Sequence, residues 1–153
     1  MSLWQVTKLK SVQFYKKYKV KSVTNLQAFN IMKQYLNSFY HETKSDDIGS
    51  LLGDIWLLED GLTADPAAWE DWVDSIKSII PGFKNHDQLT LEQAFLSARK
   101  FLEGYYERTS SSDTAVIIAN MKTLSSISVT TAKLWPEWTR ILNNPEECNN
   151  ELI

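Results

Sequence analysis

The chain has 153 residues, with 16 lysines and arginines against 19 carboxylates, for a net charge of −3; 43% of its residues are hydrophobic and 12% aromatic. That size fits one domain or two very small ones, and the apolar content excludes disorder along the whole length. The acidic balance excludes a basic nucleic-acid binder for the chain as a whole, and one cysteine, Cys148, excludes an internal disulfide framework and points to a reducing compartment. No apolar run approaches a membrane span, and the first residues lack the apolar centre of a secretory signal, so a cytoplasmic protein is expected. With five glycines and four prolines, an aromatic-packed helical core is favoured over a turn-rich β fold.

Residues 1–22 hold Trp4, Phe14, Tyr15 and Tyr18 among lysines. Their pattern leaves a short docked helix and an extended arm both open. The first clear helix opens at a capping box, Thr24-x-x-Gln27, and carries the stripe Phe29, Met32, Leu36 and Phe39. A second starts at Ser45-Asp46-Asp47, with Ile48, Leu51, Leu52, Ile55 and Leu58 inward, and Asp60-Gly61 as its stop. Gly49 and Gly53, four apart, suggest close approach of a neighbouring helix. A third opens at Asp65-Pro66, cap and first-turn proline, and turns Trp69, Trp72, Val73, Ile76 and Ile80 inward. Pro81-Gly82 breaks the chain.

The pattern then recurs. Shifted by 66 positions, residues 23–76 fall on 89–142 without a gap, with twelve identities in 54 positions, where average usage gives about three. Among the identities are Thr24/Thr90, Gln27/Gln93, Phe29/Phe95, Ser45/Ser111, Asp47/Asp113, Trp69/Trp135 and Trp72/Trp138. The second copy lacks the Asp-Gly stop and the Asp-Pro start, and its β-branched, serine-rich stretch 125–131 reads as an irregular loop. The expected architecture is all-α: two pseudo-repeated three-helix units, 23–82 and 83–144, packed as one compact domain, with a basic extension (1–22) and a tail (145–153).

Chemistry-bearing motifs are few. His41 and His86 have no ligating companions, Cys148 has no histidine beside it, and no phosphate loop, nucleophile elbow or zinc signature occurs. No catalytic residue, metal site, cofactor or small-molecule substrate is expected. Charge is the strong feature: +7 over residues 1–44, −9 over 45–74 and −1 over 75–153. Lysines among aromatics in the first stretch could grip single-stranded nucleic acid or lie on the chain's own acidic block. Within the acidic block, Asp46, Asp47 and Asp65 have local roles at helix starts. The second copy is an internal control: Asp54 becomes Asn120, Glu59 Ser125, Asp60 Ser126, Glu70 Pro136 and Asp74 Arg140, while Asp71 stays acidic as Glu137. The fold therefore does not require most of this charge, which serves either a partner or a solvated face. Trp56, replaced by Lys122, is the candidate aromatic anchor.

The run SDDIGSLLGDIWLLEDGLTADPAAWEDWVDSI, from Ser45 to Ile76, resembles small helical immunity proteins of bacterial contact-dependent growth inhibition systems, the CdiI type. The Gln-Ala-Phe and Phe39-Tyr40 segment before it, and LTLEQAFLSARKFLEGYYERT at 89–109, fit the same module; residues 1–22 and 110–153 match poorly. The resemblance implies a non-catalytic cytoplasmic protein that neutralises the toxin domain of a surface effector, often a nuclease acting on transfer RNA. An acidic helical face that fills a cationic cleft suits such a partner. Asp54, Trp56, Glu59, Asp60, Glu70, Asp71 and Asp74 are the expected toxin-binding residues, with nucleic acid and membrane not expected as partners. The alternative is an RNA-associated or regulatory adaptor acting through the basic arm.

Overall fold

A computed structural model describes residues 22–127, with side chains through 123. Within this range the order is β1 (Val23–Thr24), α1 (Asn25–Thr43), α2 (Asp46–Asp54), α3 (Pro66–Ile79), β2 (Gln88–Leu89), α4 (Leu91–Thr109) and α5 (Ser112–Ile127). The described region is mostly helical, with β1 and β2 paired antiparallel in the register Val23↔Leu89 and Thr24↔Gln88. The expected third helix of the second unit, the tail with Cys148 and nearly all of the basic extension lie outside the described residues.

The two long helices form for the same local reasons. Thr24 and Thr90 each accept from the amide three residues on, and Gln27 and Gln93 reach back to the cap amide, so both capping boxes are complete. At the other end Lys44 and Ser110 take left-handed backbone, φ 55° and 54°, and donate to Tyr40 and Tyr106. Ser45 and Ser111 then cap α2 and α5, each accepting from the third amide on, that of Ile48 or Thr114, at 3.2 Å.

Each cap serine also reaches across the molecule. Ser45 donates to Asp113 at 2.6 Å, and Ser111 donates to Asp47 at 2.9 Å. Each hydroxyl thus accepts from its own helix and donates to a carboxylate in the first turn of the other. A hydrogen bond to a charged group contributes about 1.5–3 kcal/mol net. The crossed pair fixes α2 against α5 while α1 packs on α4.

The core runs between these helices and under α3. Phe29, Met32, Leu36, Ile48, Leu51, Ile55, Leu102, Ile117 and Met121 are all buried, and Trp72 is its largest fully enclosed side chain. Trp72 meets Phe29 edge-on at 5.6 Å and Phe101 at 6.3 Å, and its indole N–H donates to buried Asn25 Oδ1 at 2.7 Å. The inward set expected for α3 is correct: Trp72 and Ile76 are fully buried, and Trp69, Val73 and Ile80 pack against the core.

Three local expectations need correction. Helix α2 ends at Asp54, well before Asp60-Gly61. That dipeptide is instead the tip of a small hairpin, with Leu57 bridged to Thr63 and Gly61 at φ 80°. An Asp-Gly pair between apolar residues is a hairpin turn signal, and here it outweighs helix continuation. Leu58 accordingly points outward. The second copy has Ser126-Ile127 in place of Asp60-Gly61; without the turn signal α5 continues to Ile127, so the irregular stretch expected from 125 is helical as far as 127. The glycine pair is divided: a Cβ at Gly49 would sit 3.0 Å from the Tyr40 ring, whereas Gly53 faces open space.

Trp72→Phe keeps ring contacts but orphans Asn25 Oδ1, and should cost about 2–3 kcal/mol in urea unfolding. Adding Asn25→Ala should cost less than the separate losses sum to; full additivity would mean the indole–amide bond contributes nothing.

Candidate functional site

The acidic segment 45–74 folds as the end of α2, the hairpin and the first half of α3. The hairpin is closed by Leu58 N–H to Leu62 O at 2.8 Å and Ala64 N–H to Trp56 O at 2.7 Å, and Asp65 N–H bonds Asp54 O at 3.0 Å. The last of these occupies a carbonyl left free where α2 stops and brings the start of α3 beside its end. Asp60 has a structural task as well, accepting from Leu62 N–H at 2.9 Å, and Asp65 caps α3 by accepting from Ala67 N–H.

The seven candidate residues are therefore not one surface of equal members. Glu59 and Asp60 are exposed at the hairpin tip, and Asp54 is exposed at its base. Glu70 and Asp74, four apart, are exposed on one side of α3. Trp56, the candidate for an exposed aromatic anchor, is half-buried. Asp71 is paired with Arg108 of α4 at 3.2 Å. Asp74 lines a shallow groove of about 190 Å³ between α3 and α4, together with Lys100 and Arg108. Asp54, Glu59, Asp60, Glu70 and Asp74 have no ion-pair partner among the described residues. Tyr105 lies at the inner margin, its hydroxyl donating to Asp47 O at 3.3 Å. Burial first, then the charges of Asp54 and Asp47, push its phenol above the ordinary range, against a smaller opposing effect of Arg108.

Two features escaped the sequence reading. Leu58 and Leu62 are 47% and 58% exposed, so the hairpin presents apolar side chains directly beside Glu59 and Asp60. The sequence signal was Leu-Leu-Glu-Asp-Gly-Leu, a turn between apolar residues, which helix periodicity had absorbed. The other is Lys33. Counted with the basic stretch, it is 8% exposed and lies over the Phe29 ring at 5.9 Å. Burial pulls its amine from 10.5 down to about 8.

His41 is exposed at the end of α1, where a cation suits the helix dipole, and His86 is exposed beside Asp87. Among the described residues no group of histidines, cysteines and carboxylates is placed to hold a metal ion, and no helix is long and apolar enough to cross a membrane. Comparison with known protein families, curated proteins and solved structures finds no match to this chain.

The buried amine makes a pH prediction. Below about pH 8 the folded chain carries the full cost of an enclosed ammonium; from there to 10.5 the folded amine is neutral while the unfolded one stays charged, so stability rises with pH. Lys33→Met should stabilise the protein near pH 7 by about 1 kcal/mol, and its advantage should shrink across that window. An advantage independent of pH up to 10.5 would place the amine at its ordinary value.

Proposed function

We propose that this chain is an immunity protein that binds and neutralises the toxin domain of a contact-dependent growth inhibition effector, a nuclease in the first instance. The observation that carries the reading is the hairpin surface: exposed Leu58 and Leu62, half-buried Trp56, and the carboxylates Asp54, Glu59 and Asp60 around them. An apolar centre with a charged rim is the usual anatomy of a recognition surface. Unpaired carboxylates at the tip and along α3 provide the field that draws in a cationic nuclease cleft. Over residues 22–127 eight lysines and arginines face fifteen carboxylates, a net −7. That strengthens the acidic character beyond the −3 of the whole chain. Asp71 belongs to the support of this surface, held by Arg108, and the exposed acids meet the partner.

The scaffold is read as two copies of one helical unit related by an approximate two-fold axis. Support comes from counterpart positions 66 apart that play matching roles: the capping boxes, the left-handed caps, Val23 paired with Leu89, and the crossed Ser45–Asp113 and Ser111–Asp47 bonds. Only the first copy has the Asp-Gly turn, and among the described residues its counterpart, as far as Ile127, is helical. Specialisation of one copy leaves the other as the platform.

The test mixes the purified chain with the toxin domain encoded beside it. A stable one-to-one complex on size exclusion and rescue of toxin-expressing cells are expected; failure of both overturns the reading. Leu62→Glu should weaken binding by about ten- to a hundred-fold, mainly through faster dissociation. Glu59→Lys with Asp60→Lys should slow association, with the gap from the parent closing at high salt. For the two-unit reading, Ser45→Ala and Ser111→Ala should each cost about 1–2 kcal/mol and be matched by Asp113→Ala and Asp47→Ala. Strongly unequal costs would speak against an equivalent axis.

A further inference from the structure

Lys33 and Asn37 stand one turn apart on the same side of α1. Lys33 is enclosed, with its amine over the Phe29 ring, which itself meets Trp69 edge-on at 5.2 Å. Among the described residues no carboxylate comes within 4 Å of that amine. Asn37 Oδ1 is buried and accepts no hydrogen bond. The positions 66 later show the usual solution. There Arg99 and Glu103 form an ion pair at 3.6 Å, with side chains 28% and 30% exposed. On α1 an amide stands in place of the acid and an amine in place of the guanidinium. A guanidinium stays charged at any physiological pH. An amine without a carboxylate beside it and with little water around it gives up its proton more easily.

We propose that Lys33 is a modification site, an amine acylated in preference to the exposed lysines by small neutral electrophiles of the isocyanic acid class. The step is an addition. The amine lone pair attacks the carbon of HNCO, a C–N bond forms and the C=N π bond opens. The amine proton passes to the nitrogen of the reagent, giving the urea R–NH–CO–NH2 with no leaving group. The nucleophile is the neutral amine, and burial supplies it. With the Lys33 amine at about 8, about a tenth of it is neutral at pH 7, against about three in ten thousand for an amine at 10.5. Lower basicity and limited exposure offset much of that difference and leave a preference of about ten-fold. A reagent this small and uncharged suits an amine 8% exposed over an aromatic ring. The product is neutral, which ends the cost of burying an ammonium. Its new N–H groups are donors of the kind that Asn37 Oδ1 lacks. The site is independent of the toxin-binding reading.

The experiment treats the folded full chain with potassium cyanate at low conversion and maps the products by peptide mass spectrometry. At pH 7 Lys33 should be modified about ten-fold faster than Lys44, Lys77, Lys84, Lys100 and Lys122, all of them exposed. The ratio cancels the reagent's own ionisation. It should hold below about pH 8 and fall about ten-fold per unit from there to 10.5, as the exposed amines go on deprotonating after Lys33 is neutral. In chain unfolded with guanidinium the preference should vanish, since burial is its cause. Asn37→Glu restores the acid that Glu103 supplies to Arg99. It should keep the amine charged and lower the Lys33 rate at pH 7 about ten-fold. A Lys33 rate at pH 7 no higher than that of the exposed lysines overturns the proposal. A ratio flat from pH 8 to 10.5, a preference that survives unfolding, or an N37E rate equal to the parent's does the same. If N37E does not fold, the ratio in the parent and its pH dependence decide.

Discussion

The crossed pair of serine–aspartate hydrogen bonds is the constraint on which the rest depends. Each serine is already committed to the start of its own helix, so its hydroxyl hydrogen is left pointing outward. Each aspartate sits in the first turn of the other helix, where the dipole favours a negative charge. Only one relative placement of α2 and α5 satisfies both bonds, and it leaves each carboxylate held by a donor and by a helix start. With α1 and α4 entering through matching left-handed caps, the four helices have little freedom to slide. Every further element, α3 and the hairpin included, is positioned against that frame.

Helix α3 depends on this frame for its place and returns an enclosed anchor. Its tryptophan bridges Phe29 on α1 and Phe101 on α4 while bonding Asn25 at the first position of α1. A ring of that size in the centre makes the approach of α3 specific, and the Asp71–Arg108 pair sets its lateral position at the rim. The outer side of α3 is thereby turned to solvent with Glu70 and Asp74, next to the hairpin that carries Leu58, Leu62, Glu59 and Asp60. The surface assigned to a partner is thus a consequence of internal packing. The hairpin grows from the point where α2 stops, and its tip has no core role to fulfil.

Function in this reading follows from asymmetry imposed on similar halves. The helical frame tolerates loss of the acids, since the counterpart positions lack most of them. One dipeptide, Asp60-Gly61 against Ser126-Ile127, separates a hairpin from a continuous helix. A local turn preference decides where the exposed apolar hairpin exists, and charge divergence decides which residues surround it.

Much of this was legible in the sequence. The capping boxes, the Asp65-Pro66 start, the aromatic stripes and the acidic block depend on residues within one or two turns of each other, and local physics is enough to read them. The 66-residue correspondence also required only the sequence. Tertiary structure decided what local pattern leaves degenerate. Leu58 fitted a helical stripe as well as a hairpin, and the bridge from Leu57 to Thr63 made the choice. Asp71 looked like its acidic neighbours until Arg108, 37 positions away, came within 3.2 Å of it. Lys33 looked like any surface lysine until packing enclosed it over Phe29. Charge and turn type are properties of residues, whereas burial, pairing and exposure are properties of neighbours that the chain brings together only on folding.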